Sequence, residues 1–307
     1  MQKNMNPQVS VIIPTHNRPE RVRKAVQSVL AQTFQDLEVI VVDDGMERRA
    51  DAALQEIHDA RVMYLQHDKN KGAAAARNTG IRAARAPYIA FLDDDDVYLP
   101  RKLEIQYQAL RKHEAIIDFV FSAVAMYHER LGEPREQRYV REGIGNFYEQ
   151  LLAHRLRILT PSVLIKRSVL EKVGGFDERL PSNQEWDLLI RVAQESKGYY
   201  MDVVVARAHI GAGADHIGGN LEKRIKGREL LLHKHYTALQ QRPIVLANHY
   251  FWLGLLCRDN GEFRKARSYF FKAWLHHKLI MRFLAHGLNV LSGQHTFFKR
   301  TPGKILS

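Results

Sequence analysis

Short valine- and isoleucine-rich runs alternate with helical stretches through the first ninety or so residues, and this alternation restricts the fold more than any other feature of the chain. Val9 to Ile13 and Leu37 to Val42 read as strands, and between them Val22, Val26, Val29 and Leu30 recur at helical spacing within Pro19 to Ala31. A second cycle follows, with a strand at Val62 to Gln66, an alanine-rich helix at Ala73 to Ala84 opened by Gly72, and a strand at Tyr88 to Leu92. Such alternation predicts an α/β fold, a mostly parallel sheet with helices on both faces. Further along, the pattern predicts a helix near Pro100 to Lys112 and a strand near Phe119 to Tyr127. A hairpin-like connection around Leu131 to Arg138 and strands at Ser162 to Lys166 and Tyr199 to Val205 follow, with a helix from Glu185 to Gln194 between those two strands. Beyond about Gly218 strand signals stop, and Leu221 to Gln240, Val245 to Asp259 and Phe263 to Lys278 read as amphipathic helices. The expected organisation is a catalytic α/β domain over residues 1–217 and a helical region over residues 218–307.

Polar motifs close three of the strands: Pro14-Thr15-His16-Asn17-Arg18, Asp43-Asp44-Gly45, and Asp93-Asp94-Asp95-Asp96. In an open α/β sheet the carboxyl ends of parallel strands share one edge, where ligands bind, so these motifs should converge. Any one of them alone would pass for a solvated turn. Four consecutive aspartates directly after an apolar strand are costly to hold together without a cation, and hard oxygen ligands favour Mn²⁺ or Mg²⁺. His209 and His216 follow the last strand, where a histidine could reach such a metal or a phosphate; the alternative for either is a surface loop.

These motifs, with Asn70-Lys71-Gly72, Ala76-Arg77-Asn78-Thr79-Gly80, Gly174-Gly175-Phe176-Asp177 and Gln184-Glu185-Trp186-Asp187, resemble those of a family 2 glycosyltransferase with the GT-A fold, over roughly residues 8 to 210. The resemblance implies an inverting transfer of a sugar from a nucleotide diphosphate donor, a UDP-sugar, to a hydroxyl of a glycan or lipid-linked acceptor in surface polysaccharide synthesis. It implies that Pro14, Thr15 and Asn17 line the nucleoside pocket, that Asp43 reads the base, and that Arg77 lies close to the nucleotide. Asp93 to Asp95 correspond to the family's Asp-X-Asp motif, with Asp93 and Asp94 on the nucleotide side, Asp93 towards the ribose, and Asp95 on the metal. The family's general base is the second acid of a Glu-Asp pair before a tryptophan. That position here is Glu185, and the preceding acid is replaced by Gln184. Asp187 is the rival base, or else an acid placed favourably in a helix's first turn. Trp186 is expected either to stack on a sugar ring or to sit in the core.

Two other classes of protein share parts of this pattern. A sugar nucleotidyltransferase would carry a glycine-rich basic loop after its first strand, which Pro14 to Arg18 lacks, and a non-catalytic nucleotide- or protein-binding module would use the helical tail. Charge is divided unevenly: residues 1–215 hold 30 basic and 30 acidic side chains, whereas residues 216–307 hold 16 basic and 4 acidic. Aromatic residues alternate with the basic ones in that tail, a pattern suited to an anionic membrane surface or, alternatively, to a solvated helix face. No nucleic-acid recognition module accompanies it. Leu253, Gly254, Gly261, Ala266, Phe270 and Ala273 match the spacing of one tetratricopeptide-like unit, expected as a helical hairpin packed on the catalytic domain. A single cysteine, Cys257, and the lack of an apolar leader point to the cytoplasm, and the membrane reading of the basic tail would add peripheral attachment at the inner face.

Overall fold

The computed structural model describes residues 6–128, 134–138, 141–210 and 220–277. His216 and the tail aromatics beyond residue 277 lie outside the described residues. The chain divides into two compact units, Met1–Gly219 and Asn220–Ser307.

In the first unit β1 (Val9–Thr15), β2 (Leu37–Asp43), β3 (Val62–Gln66) and β4 (Tyr88–Phe91) are joined through α1 (Pro19–Leu30), α2 (Asp51–Gln55) and α3 (Ala73–Ala83). These four strands pair in parallel, in the order β3-β2-β1-β4. Every residue of β1, β2 and β4 is buried, as expected of strands covered on both faces. Helix α3 comes close to β1 because it presents Gly80 there: a Cβ at that position would lie 2.4 Å from the Ile12 side chain. The same close approach brings Arg77, almost one turn earlier, to the carboxyl ends of the strands.

The second half of the sheet is mixed. β5 (Val97–Tyr98) and α4 (Lys102–Lys112) lead to β6 (Phe119–His128), β7 (Pro134–Gln137) and β8 (Gly143–Gly145), and α5 (Tyr148–Leu152) follows. A 3₁₀ turn (Thr160–Ser162) then precedes β9 (Val163–Lys166), α6 (Arg167–Val173), α7 (Gln184–Glu195) and β10 (Gly198–Ile210). The path of the ten-stranded sheet runs β3-β2-β1-β4-β9-β6-β10-β5, with β7 on β6 and β8 on β10. β9 is antiparallel to both β4 and β6, whereas β10 runs parallel to β6 along its length, so most of the paired residues are in parallel ladders. Among the described strands β5 pairs with β10 alone, Tyr98 opposite Ala206, which fixes the far end of the acidic run.

The second unit contains α8 (Leu221–Lys234), α9 (Tyr236–Gln240), α10 (Pro243–Asp259) and α11 (Phe263–His276). The single helix expected over Leu221 to Gln240 is two, interrupted at His235. α10 and α11 form a hairpin turned at Asn260 to Glu262, with Gly261 at φ +79°. Gly254 faces Phe270 so closely that a Cβ would fall 2.5 Å from the ring. Among the described residues no helix is long and apolar enough to cross a membrane.

Candidate active site at the carboxyl edge of the sheet

The three polar strand ends do converge, and their side chains bond mainly to one another. Thr15 Oγ1 donates to Asp94 Oδ2 at 2.8 Å, and Arg18 reaches Asp94 at 3.3 Å and Asp95 at 3.6 Å. Arg21, on the first turn of α1, lies 3.7 Å from Asp95. The end of β1 is thus clamped to the acidic run by charge. Asn17, at φ +55°, accepts the backbone N–H groups of Glu47 and Arg48 through its side-chain oxygen, which ties the β1 loop to the β2 loop.

Asp43 is fully buried, and its carboxylate accepts from Gly45 N, Ala50 N and the Tyr64 hydroxyl, each at 2.8–2.9 Å. A carboxylate offers about four lone-pair sites, so three of these are already used within the protein. The immediate work of Asp43 is to shape the β2 loop. Burial, followed by the hydrogen bond to Asp43, pushes the Tyr64 hydroxyl up to about 12. Asp44 plays the corresponding part for residues 67 to 72, accepting from Lys71 N and Gly72 N and pairing with His67 Nδ1, all at 2.7 Å. Pro14 is buried within β1.

The four aspartates have four different surroundings, which the sequence, reading them as one cluster, did not distinguish. Asp94 is buried between Thr15 and Arg18; burial raises its carboxyl to about 6 despite those two partners, and Asp95 and Asp93 add to the rise. Asp94 therefore faces the β1 loop as a structural tie rather than presenting itself to a ligand. Asp96 is buried and accepts the His209 backbone N–H at 2.9 Å; burial and then Asp93 push its carboxyl well above the usual range. Asp93 and Asp95 keep open surface, with side chains 34% and 13% exposed.

Those two are the oxygens that could meet a metal. Among the described residues no three His, Cys, Asp or Glu side chains gather into a ready cage. Mg²⁺ and Mn²⁺ need only one or two protein carboxylates where a diphosphate supplies further oxygens, so the donor set of Asp95 and Asp93 fits in chemistry and number. His209 departs from expectation. Its backbone serves Asp96, and its exposed ring stacks near Tyr127 at 5.9 Å, so it is not gathered with the carboxylates.

Arg77 joins the acidic run to the candidate base. Its guanidinium is almost fully buried, 2.6 Å from Asp93 and 3.1 Å from Glu185. Burial opposes the charge on Arg77, but Asp93 and Glu185 outweigh it and hold its pKa above the ordinary value. The Phe176 ring lies under the guanidinium at 5.4 Å. Glu185 sits on the first turn of α7 with its side chain 30% exposed, so its carboxylate has both a cationic partner and access from outside.

Its neighbours on α7 face inward. Trp186 is buried, donates its indole N–H to Leu151 O at 2.7 Å and packs on His154 at 4.0 Å between ring centroids, which makes it a core residue rather than a sugar platform. Gln184, at the position of the family's first acid, is buried and bonds Leu180 O. Asp187 has no exposed surface and is paired with Arg191 at 2.7 Å; a general base must touch the acceptor hydroxyl, and Asp187 as placed cannot. Arg21, Tyr64 and His67, which bond into the loops around the site, belong to none of the motifs read from the sequence. Arg18, Asp44 and Asn78 stand within those motifs, but their partners Asp94, His67 and Phe176 lie too far along the chain for the sequence to pair them.

The family model for glycosyl transferase family 2 matches residues 10–174. A glycosyltransferase of Methanocaldococcus jannaschii of uncharacterised specificity is 31% identical over 207 residues, 64% of this chain and 68% of the relative. One from Rickettsia prowazekii is 31% identical over 220 residues, 69% and 67% of the two chains. The UDP-Glc:alpha-D-GlcNAc-diphosphoundecaprenol beta-1,3-glucosyltransferase of Escherichia coli is 36% identical over 113 residues, 37% of this chain and 44% of that one. Among solved structures, S. aureus TarS superposes with a TM-score of 0.67 at 15% identity, covering 97% of this chain and 95% of that one. Its complex with UDP-GlcNAc gives a TM-score of 0.65 at 16% identity, over the same shares of the two chains. At such identities this likeness bears on the fold alone. With a family match across more than half of its length and relatives at this level, the chain belongs to glycosyl transferase family 2.

Proposed function

We propose that the chain transfers a sugar from a UDP-sugar, with inversion, to a hydroxyl of a glycan or lipid-linked acceptor in surface polysaccharide synthesis, with Glu185 as the general base. The observation that carries this reading is Arg77, one buried cation that holds Asp93 of the acidic run and the accessible Glu185 together. Leaving-group chemistry and proton removal must occur on opposite sides of one anomeric carbon, and Arg77 spans the two groups that would perform them. The E. coli relative acts, by its name, on a diphosphoundecaprenol-linked acceptor with UDP-Glc, and the TarS complexes contain UDP-GlcNAc and UDP; both favour a UDP donor.

In this mechanism Asp95, with Asp93 beside it, would hold Mn²⁺ or Mg²⁺, which when bound supplies Lewis-acid stabilisation of the departing diphosphate. Arg18 and Arg21 border Asp95 and add positive charge on the same side. Pro14, Thr15, Asn17 and Asp43 would form the wall for the nucleoside, the last three prearranged by their own hydrogen bonds. Glu185 takes the acceptor proton as the hydroxyl oxygen attacks, while Arg77 compensates the charge of the ionised carboxylate before transfer. The second unit, with its 16 basic residues and exposed Trp252 and Phe271, would meet an anionic membrane surface where lipid-linked acceptors reside, at the membrane's inner face.

The test is UDP release by purified chain from UDP-GlcNAc and UDP-Glc, with Mn²⁺, Mg²⁺ or excess chelator. Metal-dependent release of UDP is expected. Equal turnover in chelator would remove the metal from the mechanism, and UDP binding without any turnover of a broad nucleotide-sugar panel would favour a binding module.

A further inference from the structure

The residue that the structure excludes as base has a different part to play. Asp187 and Arg191 stand one turn apart on α7, and both the Nε and one terminal nitrogen of Arg191 donate to Asp187 Oδ2, at 2.9 and 2.7 Å. The rest of the guanidinium leaves the helix: its two terminal nitrogens donate to the carbonyls of Val173 and Gly175. That loop continues into Phe176, and there α3 grips it from the other side. Asn78 donates to Phe176 O at 2.9 Å and accepts from Phe176 N at 2.8 Å, closing a two-bond clasp on one residue's backbone. Gly175 permits the clasp, since it stands at φ +66° and a Cβ there would lie 2.6 Å from Asn78 Oδ1.

The loop Val173 to Phe176 is therefore a strut between two helices, held by Asn78 of α3 and by Arg191 of α7. Next to Asn78 on α3 is Arg77, and two residues before Asp187 on α7 is Glu185, the pair whose contact spans the active site. Phe176 meets one member of that pair directly, its ring lying under the Arg77 guanidinium. We propose that Asp187 is a positioning residue: by orienting Arg191 on the loop carbonyls it fixes the separation of α3 and α7, and so keeps Glu185 against Arg77. Asp187 itself touches neither donor nor acceptor. Orientation of a catalytic group is sensitive to small displacements, so loss of the strut should lower turnover while leaving nucleotide binding intact.

The inference rests on the assignment of Glu185 as base, and two measurements keep the fates of the two apart. The first is hydrogen exchange followed by mass spectrometry on the full chain carrying Asp187→Asn or Arg191→Lys. The lysine variant keeps the charge beside Asp187 while removing the fork, which guards against loss of folding in the first variant. Exchange should rise by about tenfold in both the loop 173–178 and the α3 segment around Arg77 and Asn78, in addition to α7. A rise confined to α7 would overturn the strut, whatever the chemistry of Glu185. The second is UDP release from UDP-GlcNAc, with UDP and Mn²⁺ as the binding probe. Asp187→Asn should lower kcat by about 10 to 10²-fold with UDP affinity little changed. In a Glu185→Gln background the same substitution should cost almost nothing further, because Asp187 acts through Glu185. A fully additive loss would overturn the positioning role. Normal turnover by Glu185→Gln alone would instead overturn the base assignment, with the strut still judged by exchange.

Discussion

Glu185 and Asp187 stand two positions apart on α7 in opposite surroundings, one open beside Arg77 and the other sealed beneath Arg191. Glu185→Gln keeps the side chain's shape but cannot accept the acceptor proton, so transfer should fall by about 10² to 10⁴-fold with UDP affinity little altered, measured as kcat against a UDP titration. A rate near that of the unaltered protein would move the base elsewhere. Lys102 provides a second prediction, on stability. It is fully buried, bonds Gln106 Oε1 and Val163 O, and lies 4.3 Å over the Tyr98 ring. Burial lowers its pKa from 10.5 to about 7. Between those values the unfolded chain binds more protons than the folded one, so stability should rise with pH, by at most about 1.4 kcal/mol per unit, from near pH 7 to near 10.5. Lys102→Met should flatten that slope in denaturant titrations at stepped pH. Motif positions were legible in the sequence because each is local to a strand end. The Arg77 to Glu185 contact was not, since no periodicity links residues so far apart along the chain, and the separate fates of Asp93 to Asp96 depend on which neighbour each meets in space.

Elements with sustained periodicity were read correctly from the residues, as with α1, α3, α7 and the four parallel strands. Those missed were short or held by partners rather than by propensity. β5 is two residues long and exists because β10 pairs with it, and α2 and α5 are single turns of five residues. The break between α8 and α9 carries no glycine or proline, and the apolar spacing continues across it through Leu231, Leu232 and Leu239. The α10 and α11 hairpin was visible through its small residues, and Gly254 tests it. A methyl group there would press into Phe270 at 2.5 Å, and both helices would have to move apart. Gly254→Ala should cost about 1–3 kcal/mol, read as a lower unfolding midpoint for the second unit while UDP binding by the first is retained. No change in that midpoint would show that the hairpin is looser than its packing implies.

At the scale of the molecule the two units differ in charge as well as architecture: one is balanced, and the other holds a surplus of 12 positive charges. If that surplus serves a membrane, the full chain should sediment with vesicles containing an anionic lipid and not with neutral ones. Raising the ionic strength to about 1 M, where the screening length falls to about 3 Å, should release it. Binding insensitive to both lipid charge and salt would reject the role. The sheet order has a consequence for how the molecule is made. Its parallel ladders join distant stretches of chain, Val9 with Tyr88 and Phe119 with Gly198, whereas the second unit is built from helices adjacent in sequence. Contacts of long sequence separation form slowly, so on dilution from denaturant the helical unit should regain its structure well before the sheet does. Among the described strands β10 is the last to emerge during synthesis, yet it is the strand on which β5 pairs, and the backbone of His209 near its end caps Asp96. Until some 210 residues have left the ribosome, the acidic run has no back wall, and a nascent chain shorter than that should be unable to retain a nucleotide.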